Sequence, residues 1–145
     1  MILGFNHFSF TVRDVDKSVE HYEKNLGFSL ISLADRPAEY VFAVTGMNMG
    51  MKIAYLKGYD VVIELIEYFN TDSSNVLSKP SNIGSGHLCL NVDDIHDSVK
   101  NLKEKGVNFL GEPVIIPAGA NKGGYVVYSL DPDGIVNEFI QAPKT

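Results

Sequence analysis

The sequence predicts an α+β fold built from two copies of a βαβββ module, and three observations carry that expectation. First, "NHFSFTVRDVDKSVEHYEKNLGF" returns as "GHLCLNVDDIHDSVKNLKEKGV" at an offset of 80 residues: His7 meets His87, Val12 meets Val92, Asp14 meets Asp94, Ser18 meets Ser98 and Val19 meets Val99. Second, each copy switches from a two-residue alternation to a helical period at the same place. Third, "VIELIEY" and "VNEFIQA" set Glu64 against Glu138, each a carboxylate inside an apolar run. Two such modules are expected to form a cupped mixed sheet around a metal site, with the helices on the outer face.

The opening strand places Phe8, Phe10 and Val12 on one face and His7, Ser9 and Thr11 on the other; in the second copy Leu88, Leu90 and Val92 oppose His87, Cys89 and Asn91. Asp14, and Asp94 of the Asp93-Asp94 pair, suit helix N-caps because their side-chain oxygens accept from the free N–H groups of the first turn. The helices then carry apolar stripes of Val15, Val19, Tyr22 and Leu26, and of Ile95, Val99 and Leu102. Gly27 and Gly106 follow as left-handed terminators. Strands are expected over 28–33, 39–45, 51–56 and 60–68, then over 107–110, 113–116, 124–130 and 135–141. "DPDG" at 131–134 reads as a hairpin turn, with Pro132 at the first corner and Gly134 where positive φ is needed. The polar stretch "NTDSSNVLSKPSNIGSG" reads as a connection. The modules are therefore placed at 1–70 and 86–145 with a linker at 71–85, one domain overall from about 4 to 142.

The composition narrows the function classes. Hydrophobic residues make up 45% and charged residues 21% of the 145, enough to build a core. A formal charge of −6 with no basic run argues against nucleic acid as a partner. A single cysteine, Cys89, excludes an internal disulfide and suits a reducing compartment. The N-terminal stretch has no basic region or cleavage site, and no apolar run approaches a membrane span. A cytoplasmic protein without a membrane partner is the expectation.

The chemistry sits in the paired anomalies. A carboxylate on a buried strand face costs several kcal/mol unless it is paired, hydrogen-bonded or bound to a metal. Each copy supplies one histidine from its first strand and one glutamate from its last. If the copies pack about a pseudo-twofold axis, two imidazoles and two carboxylates converge as a neutral site for a divalent cation of borderline hardness. Each of these residues also has a scaffold role open to it, a hydrogen-bonded histidine or a solvent-facing glutamate; recurrence at matched places favours the metal. His21 and His96 fall on the polar flanks of the helices, and Glu67 and Glu112 are expected to be exposed. "TGMNMGMK" offers Met47 and Met49 as an adaptable apolar wall, with Met51 as strand core. Lys122, in "AGANKGGYVVY", lies on a loop able to cover a substrate carboxylate or phosphate. Arg36 and Tyr40 are further substrate candidates.

Paired modules carrying "NHFSFTV", "IELIEY", "GHLCLNVDD" and "DPDGIVNEFI" resemble the vicinal oxygen chelate superfamily, which includes glyoxalase I, methylmalonyl-CoA epimerase, extradiol dioxygenases and the fosfomycin and bleomycin resistance proteins. The resemblance covers essentially the whole chain. It implies a divalent metal (Ni, Co, Mn, Fe or Zn) held by His7, Glu64, His87 and Glu138, a small-molecule substrate and a homodimer. Glutamate at position 64 is similar to the four-ligand site of glyoxalase I and the epimerases. That implies a lyase, isomerase or epimerase acting by proton transfer next to a metal-chelated carbonyl, with Glu138 or Glu64 as the base. Two departures bear on glutathione: small bacterial glyoxalases I place an arginine four residues after the first histidine and an asparagine four after the first glutamate, where this chain has Thr11 and Tyr68. The epimerases' additional acid on a first-module strand has no counterpart in "TGMNMGMK". The alternative is an extradiol ring-cleavage dioxygenase, supported by Tyr128 ten residues before Glu138, where those enzymes keep an acid/base tyrosine; Tyr128 also reads as an ordinary strand aromatic. A second alternative is a small-molecule binding protein like the bleomycin resistance members, which lack the metal ligands.

Overall fold

The first unit opens with β1 (Phe8–Thr11), α1 (Val15–Leu26) and β2 (Ser29–Arg36), continues through α2 (Ala38–Thr45), and closes on β3 (Met51–Gly58) and β4 (Val61–Tyr68). The second comprises β5 (His87–Asn91), α3 (Ile95–Glu104), β6 (Asn108–Phe109), β7 (Val114–Ile115), β8 (Tyr125–Leu130) and β9 (Val136–Gln141). The structure is a computed structural model that describes residues 1–71 and 79–144, and the chain divides into the units Met1–Asn75 and Val76–Thr145. Residues 72–78 of the expected linker lie outside the described residues.

The two sheets share one topology. Strand order is β1-β4-β3-β2 in the first and β5-β9-β8-β6 in the second, with β7 also on β8. β6 and β7 pair with opposite ends of β8, Asn108 with Leu130 and Val114 with Val126, so together they occupy the edge place that β2 holds in the first unit. Each opening strand runs parallel to the closing strand of its unit, and the remaining pairs are antiparallel. The fold is α+β with mixed sheets, as predicted.

The helices form where the caps and stripes place them. The Asp14 side chain accepts from the Lys17 N–H, and Asp94 accepts from the N–H groups of His96 and Asp97. All seven stripe residues are buried. A second cap was not anticipated. The Glu67 carboxylate accepts the N–H of Val15 at 2.9 Å, and the Gln141 carboxamide accepts that of Ile95 at 2.8 Å. These residues hold matching positions on β4 and β9, so each closing strand is tied to the first turn of its helix. Glu67 is accordingly half-buried, not exposed as expected.

One element differs in kind. The segment 39–45, expected as a strand, is helix α2. "EYVFAVT" is short, apolar and rich in β-branched and aromatic residues, a pattern shared by strands and buried helices. Pro37 at the N-cap and Gly46 at φ 78° beyond the end are the punctuation that decides for helix. Burial of Val41 against Met51 and Ile53 then holds it, with Tyr55, Ile66 and Tyr68 packed alongside.

Asn137 on β9 sits where β4 has Ile63. It is fully buried, and neither carboxamide atom has a hydrogen-bond partner among the described residues. An unsatisfied buried amide costs about 1–3 kcal/mol. Asn137→Val should therefore raise the stability of the protein, by roughly 1–2 kcal/mol after allowing for imperfect packing of the new side chain. Urea denaturation of the two proteins checks this through a higher midpoint at unchanged slope.

Candidate functional site

Strand pairing fixes which side chains share a face. In the first unit Ser9 pairs with Glu64 and Glu64 with Tyr55, so these three form a row across β1, β4 and β3. His7, two residues before Ser9, lies on the same face. In the second unit Cys89, Glu138 and Tyr128 form the equivalent row, and His87 precedes Cys89 by two. The duplication thus includes the tyrosines: Tyr55 stands to Glu64 as Tyr128 stands to Glu138. The opposite face of the first sheet carries Ile63 and Leu65, both fully buried, and the Glu67 cap of α1.

Glu64 is only 7% exposed, and its neighbours explain how it is tolerated there. His7 Nε2 lies 3.5 Å from Glu64 Oε1. The Tyr55 hydroxyl donates to the Glu64 carboxylate, and that bond, with burial next, pushes the phenol up to about 12. The Tyr55 ring meets the His7 ring edge-on at 5.5 Å between centroids. His7 Nδ1 is 2.7 Å from Asn6 Oδ1. In the tautomer that donates Nδ1–H to Asn6, Nε2 turns a lone pair toward a carboxylate oxygen. Two acceptors facing each other call for a cation or a proton between them, and a ring nitrogen fixed by a bond to its other nitrogen is how metal-binding histidines are held.

In the second unit His87 Nε2 is 2.9 Å from Glu138 Oε2. Tyr128 stacks on His87 at 5.6 Å, and its phenol is pushed up by burial and then by the Glu138 charge. Here the hydrogen bond to the carboxylate comes from Cys89. Burial first, then the charge of Glu138, holds that thiol up to about 11, so it stays protonated and donates. Each unit therefore sets one imidazole against one carboxylate of its own; among the described residues, no group of three or more His, Cys, Asp or Glu is placed to hold a metal ion. A nitrogen and an oxygen donor per unit are the chemistry that borderline divalent ions take.

The other sequence candidates are distributed unevenly. α2 packs through Val41 onto Met51, Ile53, Ile66 and Tyr55, which places it on the Glu64 face of the sheet. Met47 and Met49 follow directly from α2, Met47 exposed and Met49 half-buried, while Met51 is core. Arg36 and Tyr40 flank the start of α2, and both act on the Tyr55 hydroxyl, the guanidinium drawing its pKa down and the phenol raising it. Lys122 is exposed in a turn closed by backbone bonds from Gly123 to Ile116 and from Gly124 to Asn121. His21, on α1, is half-buried with its imidazole pKa lowered by burial. His96 stacks edge-on against Tyr125.

The comparisons with known proteins agree with this architecture. The profile of the Glyoxalase/Bleomycin resistance protein/Dioxygenase superfamily matches residues 4–139, and the chain belongs to that family. It is 31% identical over 138 residues to a probable lactoylglutathione lyase of Synechocystis, covering 93% of this chain and 92% of that protein. It is 29% identical to a 2-epi-5-epi-valiolone epimerase of Actinomyces, covering 97% and 80%. With a lactoylglutathione lyase of Arabidopsis thaliana it shares 27% identity over 97% of its own length, and it spans only 45% of that longer protein. A solved structure of a glyoxalase family protein from Bacillus cereus superposes with a TM-score of 0.82 at 22% identity, covering 99% of this chain and 97% of the other, which shows the fold.

Proposed function

We propose that the protein is a divalent-metal-dependent enzyme of the glyoxalase I type: a lyase, isomerase or epimerase that moves a proton at a carbon next to a chelated carbonyl of a small molecule. In this reading His7, Glu64, His87 and Glu138 hold the metal (Ni, Co, Mn, Fe or Zn). The observation that carries it is the twofold recurrence of an imidazole aimed at a strand carboxylate that a second donor holds in place, at 3.5 Å in one unit and 2.9 Å in the other. Relatives named as lactoylglutathione lyases and as an epimerase support proton transfer as the common chemistry.

When bound, the metal supplies Lewis acidity toward two vicinal substrate oxygens. The chain's own residues do the rest. Glu64 or Glu138 takes the proton from the substrate carbon and returns it on the neighbouring atom, or on the other face for an epimerase. Tyr55 fixes the Glu64 carboxylate through its hydroxyl, and Cys89 does so for Glu138. Asn6 fixes the tautomer of His7. Tyr68 is packed into the Val41–Met51–Ile53 cluster, which favours a substrate other than a glutathione adduct. An extradiol dioxygenase is the second reading, favoured by Tyr128 beside Glu138 and His87. A homodimer accompanies both readings. Among the described residues no helix is long and apolar enough to cross a membrane.

The test is turnover of a panel of α-hydroxy and α-oxo carbonyl compounds before and after dialysis against a chelator. Activity should vanish on chelation and return with one of the five ions. Turnover that survives exhaustive chelation would remove the metal from the account.

A further inference from the structure

The two units differ where each helix begins. In the first, Lys52 on β3 reaches Asp16 on α1 at 2.7 Å. The repeat sets Asp16 against His96. Strand pairing sets Lys52 against Tyr125, because Lys52 lies opposite Glu67 and Tyr125 opposite Gln141. The second unit therefore replaces an ion pair by two rings, which meet edge-on at 5.2 Å between centroids. Beside the rings lies a recess of about 510 Å3, lined also by Asp94, Gln141 and Lys144, a volume in the range of small-molecule sites. Tyr125 and Gln141 each stand three residues from the Tyr128–Glu138 row, so the recess lies on the α3 face of the sheet, opposite to the His87–Glu138 pair.

The polar parts of the lining are held in place but not used up. Gln141 is only 6% exposed. Its carboxamide oxygen accepts the N–H of Ile95, so the NH2 group is left for the recess, with no acceptor among the described residues. A Cβ at Gly124 would collide with the Gln141 carbonyl oxygen; glycine there lets the turn before β8 close directly on the end of β9. Asp94 holds the N–H groups of His96 and Asp97 with Oδ1 alone, which leaves Oδ2. No carboxylate among the described residues forms an ion pair with Lys144. Its charge still reaches Asp94, whose carboxyl is held below its ordinary value first by the Asp97 N–H and then, among others, by Lys144.

We propose that this recess is a second binding site, apart from the Glu64 and Glu138 faces, for an α-amino acid with an aromatic side chain. The lining offers one anion, one cation and a pair of rings, and such a ligand complements each of them. Its carboxylate takes the Lys144 ammonium and the Gln141 NH2, both donors without an acceptor of their own. Its ammonium takes Asp94 Oδ2. Its ring packs on Tyr125 and His96, where offset and edge-on contacts between rings are favourable. A ligand with a single charge would leave either Asp94 or Lys144 unmatched. The first unit closes the equivalent place with its own ion pair, so the site belongs to the second unit alone.

The experiment titrates the protein calorimetrically with L-phenylalanine, with 3-phenylpropanoate, which lacks the ammonium, with phenethylamine, which lacks the carboxylate, and with L-alanine, which lacks the ring. Each titration is run with and without a chelator, because an amino acid can also coordinate a metal. The parent should bind L-phenylalanine about tenfold or more tighter than any of the other three, equally in both conditions. Lys144→Gln should erase the preference over phenethylamine and keep that over L-alanine. The double variant Tyr125→Lys with His96→Asp installs the ion pair of the first unit; it should fold, by circular dichroism, and lose L-phenylalanine binding. No saturable binding by the parent, equal affinity for a ligand lacking one charge, binding that disappears with the chelator, or binding that the double variant retains would each overturn the site.

Discussion

Glu138→Gln should leave a folded protein and lower turnover by roughly 100- to 10,000-fold, the range in which a positioned general base contributes. The amide fills the space of the carboxylate and still offers one coordinating oxygen, but it carries neither the charge nor the capacity to take a proton. Glu64→Gln should also fold, because the amide oxygen can still accept the Tyr55 hydroxyl. It should weaken metal binding and alter turnover, with Glu138→Gln as damaging or worse, since one of the two carboxylates has to receive the substrate proton. A three-ligand dioxygenase site predicts a different pattern. In that case Glu138→Gln is severe, Glu64→Gln is nearly silent, and oxygen is consumed with a catechol. Steady-state kinetics of both variants beside oxygen uptake by the parent separates the two chemistries.

Tyr55→Phe should lower metal affinity by about 10- to 100-fold, the usual consequence of removing a group that orients a ligand. The ring is kept, and with it the edge-on contact with His7 and the packing beneath α2; only the hydroxyl bond to Glu64 is lost. Tyr128→Phe should cost less, because the hydrogen bond to Glu138 comes from Cys89 and Tyr128 contributes mainly its stacking on His87. The asymmetry is what a dioxygenase would reverse, since there Tyr128 would be the acid/base. Competitive metal titration of the two variants measures it directly, and equal affinity of Tyr55→Phe and parent would remove Tyr55 from the site.

Much of this was readable from the repeat. The offset of 80 residues placed two helices and their caps correctly because caps, stripes and terminators are local signals with a mechanism at each position. His7, Glu64, His87 and Glu138 were legible for a different reason: each breaks the pattern around it, and each break occurs twice. Tyr55 escaped notice because a tyrosine in a strand breaks nothing. Its signal was the match to Tyr128, obscured by the different connections that join β3 to β4 and β8 to β9. The first is a two-residue turn whose Tyr59 and Asp60 both have positive φ; in the second, Asp131 organises a longer turn by accepting from the N–H groups of Asp133 and Ile135. Segment 39–45 was misread because its apolar content fits either state, and only packing on Met51 and Ile53 chooses. The caps from Glu67 and Gln141 join residues 52 and 46 positions apart, a separation at which sequence carries no local cue.

The proposed metal dependence is tested most directly by the metal content of the purified parent, Glu64→Gln and Glu138→Gln after equilibration with Co2+, measured by mass spectrometry of the intact protein and elemental analysis. About one tightly held ion per chain is expected in the parent, and weakened binding in either variant. Tight binding that neither substitution weakens, or no uptake by the parent, would contradict the proposal.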